Sequence, residues 1–262
     1  MKFVSMLWLV TFASLSFSFA ESPEEKGLRI AKEVEKANEG WRGDVSTIKM
    51  VLINAYGEKT DRRMKTITKE RKSDGDLSIN EFLWPADVKG TKLLTHAFKE
   101  KSDDQWLFLP ALKRVKRISS RNKSGSFMGS EFSYEDLGSQ EPEKFSHKFI
   151  KDSKVKGRDV YHTERVPTDK YSAYSKQEMW IDKQYNGPLK INYFDKKGEL
   201  LKTAIFSSYK KYGRLWRVGR IHAKNVQTKK ESTLTWSKRK LGAKIARSRF
   251  DSTKLKSGGD GF

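Results

Sequence analysis

His96, His147, His162 and His222 are the first residues whose chemistry could be put to work, and they lie far apart in the chain. None has a second potential ligand one helical turn away, so the sequence assigns no metal and no cofactor. Gly125-Ser126-Phe127-Met128-Gly129 invites comparison with a hydrolase nucleophile elbow, but its order is G-S-x-x-G where the elbow needs G-x-S-x-G. Glu135-Asp136 could serve as a general acid and base, but two adjacent carboxylates behind an aromatic segment are more often a turn or helix-end feature. With no nucleophile to pair with a base, no catalytic residue is assigned, and a lipid-ester hydrolase is disfavoured. The expectation is a protein that is not an enzyme.

Binding chemistry is better represented. Lys113, Arg114, Lys116 and Arg117 surround Val115, with Arg121 and Lys123 close behind. Taken singly each is a solvated charge; taken together they could face an anion. Directly after them Phe127, Met128, Phe132 and Tyr134 stand among glycines and serines, where composition indicates a loop. Two readings are open: the underside of a loop packed on the core, or a mobile lid over an apolar concavity, for which methionine and aromatic rings are suited. Periodicity alone does not choose between them.

The elements that must position these groups are mostly strands. Ser22-Pro23-Glu24-Glu25 predicts a helix start, with serine as N-cap and a glutamate three residues on, and Ile30, Val34, Ala37 and Trp41 then give one apolar face. Beyond Gly43 the pattern becomes short β-branched and aromatic runs between turns at Gly57, Gly75, Gly157, Gly187, Gly198 and Gly213. That spacing predicts an antiparallel meander of about ten strands. Alternation at Phe145-His147-Phe149, Met179-Ile181, Ile191-Tyr193 and Leu234-Trp236 implies strands with one buried face. Apolar parity switches across Gly219, which predicts a bulge or sharp coiling. The fold class expected is therefore mainly β with flanking helices: a curved antiparallel meander, covered by the N-terminal helix and a helical or loop lid.

Residues 1–20 carry Lys2, an apolar run and Ser18-Phe19-Ala20, the order of a secretory signal peptide cut after Ala20. The apolar run is shorter than the roughly 18 to 20 residues of a membrane span. Residues 21–256 then form a single domain and 257–262 a disordered tail. No cysteine is present, so neither disulfides nor N-terminal lipidation contribute, and a bacterial periplasm is the expected compartment. The full chain has a net charge of +21, or +20 without Lys2. Such an excess favours an anionic partner, and export disfavours nucleic acid.

Trp106 to Leu112, the basic run through Ile118, and Phe127 to Leu137 together resemble the signature of the LolA-like outer-membrane lipoprotein-sorting proteins. The resemblance extends to Arg62-Arg63-Met64, Trp180-Ile181, Pro188-Leu189-Lys190 and Phe250 with Leu255. It implies an incomplete, half-barrel sheet whose apolar interior receives lipid or lipoprotein acyl chains, and a partnership with an exporter of the resistance-nodulation-division type. On that basis the cavity or lid is expected to include Trp84, Trp106, Phe108, Phe127 and Met128, together with Phe132, Tyr134, Trp180, Tyr193 and Phe206. Arg114, Arg117 and Arg121 are the expected contacts to an anionic headgroup or, transiently, to an anionic membrane surface. The alternative is an adaptor subunit of such an exporter that carries no ligand.

Overall fold

The computed structural model describes residues 20–256; residues 1–19 of the expected leader and the expected tail 257–262 lie outside the described residues. Helix α1 (Pro23–Ala37) starts where its cap predicts: the Ser22 hydroxyl accepts from the Glu25 amide at 3.2 Å, and the Glu25 carboxylate accepts from the Ser22 amide at 2.9 Å. Fifteen strands follow among the described residues. They are β1 (Gly43–Ile53), β2 (Lys59–Lys69), β3 (Leu77–Trp84), β4 (Lys92–His96), β5 (Asp104–Leu109) and β6 (Arg114–Ile118) in the first half. The second half holds β7 (Phe145–Val155), β8 (Arg158–Pro167), β9 (Lys176–Asp182), β10 (Gly187–Phe194) and β11 (Leu200–Ser207). Last come β12 (Lys210–Tyr212), β13 (Leu215–Arg217), β14 (Arg220–Asn225) and β15 (Glu231–Leu241). The excess over ten comes from short strands such as β12 and β13, too brief to display alternation.

Thirteen strands make one antiparallel sheet in the order β6-β5-β4-β3-β2-β1-β15-β14-β11-β10-β9-β8-β7, with β12 and β13 paired separately. The closing step is the pairing of β1 with β15, which joins two meanders read in opposite directions from the centre. Edges β6 and β7 do not pair, so the barrel is incomplete. One side of the sheet carries a single core: Met50, Met64, Phe82, Leu93 and Leu107 from one half share a cluster with Ile191, Tyr193, Ala204, Ala223 and Leu234 from the other, together with Phe127 and Phe132 of the loop between β6 and β7.

Alternation divides each strand between this inner face and an outer one. On the outer face Ile67, Leu77, Ile79 and Leu94 form a second cluster, covered by Ile245, Phe250 and Leu255 of the C-terminal segment. That segment ends in two short 3-10 turns, Arg247–Phe250 and Ser252–Lys254, and His96 Nε2 bonds the Phe250 carbonyl at 2.6 Å. The helix lies on β7, so close that a Cβ built on Gly27 would meet the Lys148 amide nitrogen at 2.7 Å. At Gly219 the predicted parity switch is a break: the chain leaves the β12–β13 ribbon and enters β14, with the Gly219 Cα so near the Ser208 carbonyl that a Cβ would lie 2.3 Å from it.

Candidate functional site

Residues 119–141, which join the two unpaired edges, cross the inner face. Burial explains why: the sheet's apolar lining would otherwise stand in water, and at ~25 cal/mol per Å² the loop's aromatic side chains offset much of that exposure. Phe127 and Phe132 are 1% and 6% exposed and belong to the inner cluster, with Met128, Tyr134 and Leu137 packed against it. The Phe127 ring lies 5.6 Å from Phe82 and 5.8 Å, edge-on, from Tyr134. Met128 and Gly129 both hold positive φ, 52° and 78°, which turns the chain back at the apex of the loop.

Polar groups hold this plug in place. Asp136 accepts from the Tyr174 hydroxyl at 2.8 Å and from the Ser133 amide at 2.7 Å, and pairs with Lys202, an inward-facing lysine of β11 that is 4% exposed. Lys202 Nζ also donates to the Glu131 carbonyl at 2.9 Å and lies 4.9 Å from the Tyr193 ring. The Glu131 carboxylate accepts from Asn225 at 2.8 Å, and its amide donates to Ser232 Oγ at 3.0 Å. Arg62 donates to the Met128 carbonyl, and Gln105 to the Tyr134 carbonyl at 3.0 Å. The loop is thus fastened to β2, β5, β11, β14 and β15, on both halves of the sheet. Glu135, the neighbouring carboxylate, bonds Ser172 Oγ and the Ala173 amide. The pair that resembled an acid and base is a fastening.

Space remains around the plug. A cavity of ≈320 Å³ lies between it and the inner face, lined by Ile48, Met64, Thr66, Phe127, Leu137 and Trp236 among others. It adjoins a chamber of ≈630 Å³ under α1, lined by Val34, Trp41, Arg165, Met179 and Ile181, the two sharing Asp76, Gln140 and Glu141. On the other side of the loop a polar pocket of ≈450 Å³ opens between the plug and residues 167–174. Each falls within the range of small-ligand sites, but only displacement of the plug would free the whole apolar face.

Burial and mutual repulsion dominate the chamber's electrostatics. Burial raises Glu141 to about 7, assisted by the nearby Asp76 carboxylate and a hydrogen bond with Glu35; burial raises Asp76 to about 6 and raises Asp44 as well. Arg165, sealed beneath Phe145, is pushed down to about 10 by burial and donates to Gln177 Oε1 at 2.9 Å. Glu35, Glu141 and Glu143 bring carboxylate oxygens within 4.8 Å of one another, a set a hard cation could use. Lys99 already supplies a positive charge there, 2.8 Å from Glu35.

A raised carboxyl pKa binds a proton more tightly in the folded than in the unfolded chain, so folding stability is highest while the group is protonated and declines as pH climbs toward the folded value. Glu141→Gln removes this liability. Its stability relative to the native chain is expected to be near zero at pH 4 and increasingly positive from pH 5 to 8, read from denaturant melts at each pH. A difference independent of pH would show that Glu141 does not titrate in this window.

The ten cavity candidates divide sharply. Phe127, Met128, Phe132, Tyr134, Tyr193 and Phe206 are brought together at the inner cluster. Trp106 and Phe108 are not: strand parity puts Leu107 inside and turns them outward, under the C-terminal segment. Trp84 is 44% exposed at the end of β3 with the Arg63 guanidinium 5.5 Å from its ring. Trp180 alternates with the inward Met179 and stacks on His162 at 4.5 Å, its other neighbour being Lys190. The arginines are likewise elsewhere. Arg114 and Arg117 lie exposed on edge strand β6, Arg117 paired with Asp104, and Arg121 lies 5.5 Å from the Tyr171 ring; none of the three lines a cavity described above. The residues that sequence reasoning missed are the fasteners, above all Lys202. Its signal was available: a lysine two positions before Ala204 and four before Phe206 occupies an inward site.

Comparison with known proteins agrees with this architecture. A model of an uncharacterized-protein family matches residues 74–257. A domain from Vibrio parahaemolyticus named for outer membrane lipoprotein sorting is 46% identical, with a TM-score of 0.87 over 89% of this chain and 99% of its own. A DUF1329 family protein from Desulfovibrio piger is 29% identical, with a TM-score of 0.84 over the same 89% and 99%. A LolA superfamily protein from Nitrosomonas europaea, 18% identical with a TM-score of 0.69 over 86% of this chain and 97% of its own, shares the fold. No curated protein matches the chain. With 46% identity to the Vibrio domain over 89% of this chain and 99% of that one, the chain belongs to the outer-membrane lipoprotein-sorting protein family.

Proposed function

We propose that the protein is a non-enzymatic carrier of lipid or lipoprotein acyl chains in the periplasm, and that residues 119–141 occupy the acyl site when no cargo is bound. The observation that carries this reading is the composition of the plug: Phe127, Phe132 and Tyr134 cover an apolar face between unpaired sheet edges, yet the loop is fastened largely by hydrogen bonds and one ion pair. An acyl chain gains ~0.8 kcal/mol per buried methylene, so a chain of ordinary length can compete with such a loop for the face. A transient encounter with an anionic membrane, favoured by the net charge, would deliver the cargo. Among the described residues no helix is long and apolar enough to cross a membrane.

Mass spectrometry of organic extracts from gently purified protein tests the proposal. Co-purifying phospholipid or acylated peptide, together with saturable binding of a fluorescent fatty acid, is the expected result. The occupied inner face favours one rival, a ligand-free adaptor for a resistance-nodulation-division exporter; a clean extract, no acyl-probe binding and tight exporter capture would replace the carrier with it.

A further inference from the structure

We propose that one end of the half-barrel is a bilayer-docking rim, formed by the turns β1–β2, β3–β4, β5–β6 and β14–β15, and that its partner is the interface of an anionic membrane. This deepens the carrier reading, on which its purpose rests, by naming the surface that would meet the lipid source.

The argument begins with register. Ile53 pairs with both Lys59 and Glu231, which sets the turns 54–58 and 226–230 side by side. Arg63 opposite Trp84 and Leu109 opposite Arg114 carry the same end of the sheet onward through 85–91 and 110–113. Gly90 and Pro110 touch across the last two turns, a Cβ on Gly90 lying 3.2 Å from the proline ring. These turns, with the last residues of β3, hold Tyr56, Leu83, Trp84, Leu112 and Val226, exposed by 92%, 41%, 44%, 63% and 42%. They are five of the nine large apolar side chains exposed among the described residues. The connections at the opposite end, 70–76, 97–103, 183–186 and 208–219, hold none of the nine. Chance exposure would not choose one end.

Charge completes the match. Lys59, Lys113, Arg114, Lys197, Lys229 and Lys230 stand exposed on or beside the turns of this end. The carboxylates there are fewer, and two are engaged locally, Glu58 by Asn54 at 2.6 Å and Asp195 by Gln227 at 2.9 Å. Aromatic and aliphatic tips between basic side chains suit a headgroup layer, where rings and methyl groups enter the acyl boundary and ammonium groups meet phosphate. The apex of the plug opens at the same end. Arg62 of β2 holds the Met128 carbonyl, and Leu52 lies 4.0 Å from the position of a Cβ on Gly129. A bilayer seated on the rim faces the loop that covers the inner cluster.

The chain has no cysteine, so single cysteines report cleanly. Environment-sensitive fluorophores on Tyr56→Cys, Leu112→Cys and Val226→Cys are expected to shift to the blue on mixing with phosphatidylglycerol–phosphatidylcholine vesicles, whereas a label on Ile150→Cys, on β7, does not. Equal shifts at all four sites, or none, would overturn the rim. In flotation assays the triple variant Tyr56→Ser/Trp84→Ser/Leu112→Ser should lose about tenfold in partitioning to the same vesicles, and Ile150→Ser/Ile205→Ser, at exposed sites away from the rim, should lose nothing. Equal partitioning of both variants would count against the proposal. Fatty-acid probe binding measured without vesicles separates the two readings: it survives the rim substitutions if the carrier reading is right, and its absence from the native chain would sink the carrier while leaving the rim standing.

Discussion

Replacing Asp136 with leucine is expected to release residues 119–141 from the sheet. The substitution leaves the Lys202 ammonium buried without its counterion and strands the Tyr174 hydroxyl and the Ser133 amide. Loss of one member of a buried ion pair typically costs ~3–5 kcal/mol, more than the pair's net contribution, because an unpaired charge remains in a poorly solvated site. Lys202→Met should cost a similar amount for the converse reason. The double variant removes both charges and should lose less than the sum, by about 2 kcal/mol or more, the orphaned hydroxyl and amide accounting for the remainder. Hydrogen exchange locates the effect: amides of residues 123–135 should exchange faster in Asp136→Leu while β1, β2 and β15 keep their protection. Uniform acceleration through the whole sheet would show that the fastening is part of the global fold and not of a separable plug.

The sequence made the scaffold legible because local chemistry agreed with tertiary context at each step. Ser22 and Glu25 fixed the helix start, glycine turns marked the hairpins, and alternation at Met179-Ile181 and Leu234-Trp236 identified inward faces that the folded sheet retains. Those rules assume that only one face of a strand is buried. They fail for Trp106 and Phe108, since β5 is covered on both sides, by the plug within and by Phe250 and Leu255 without. An apolar residue on such a strand does not reveal which layer it faces until its register with Leu107 is known. The basic segment is a related case: Arg114 and Arg117 lie on the exposed edge strand β6, where charge also guards against strand addition, and neither lines a cavity of the inner face. The fastening was hidden because it joins residues as far apart as Arg62 and Met128, or Asp136 and Lys202, which no local pattern couples.

Truncating Phe127 to alanine gives the second large effect, and it separates plug from core by the sign of a binding change. Phe127 is 1% exposed against Phe82 and Tyr134, so its loss should lower stability by ~3–5 kcal/mol and the melting temperature by roughly 10 °C. Were the ring simply part of a ligand wall, acyl affinity would fall as well. A plug behaves in the opposite way, because cargo binds only the fraction of molecules whose loop is displaced, and the apparent affinity scales with that fraction. Weakening the closed state by ~3 kcal/mol should therefore tighten binding of a fatty-acid probe by up to about a hundredfold, until displacement is no longer limiting. Saturating probe should also restore most of the lost melting temperature, since ligand now stabilises a state that Phe127 does not occupy. Affinity that drops together with stability would mean that the loop and the acyl chain do not compete for the inner face.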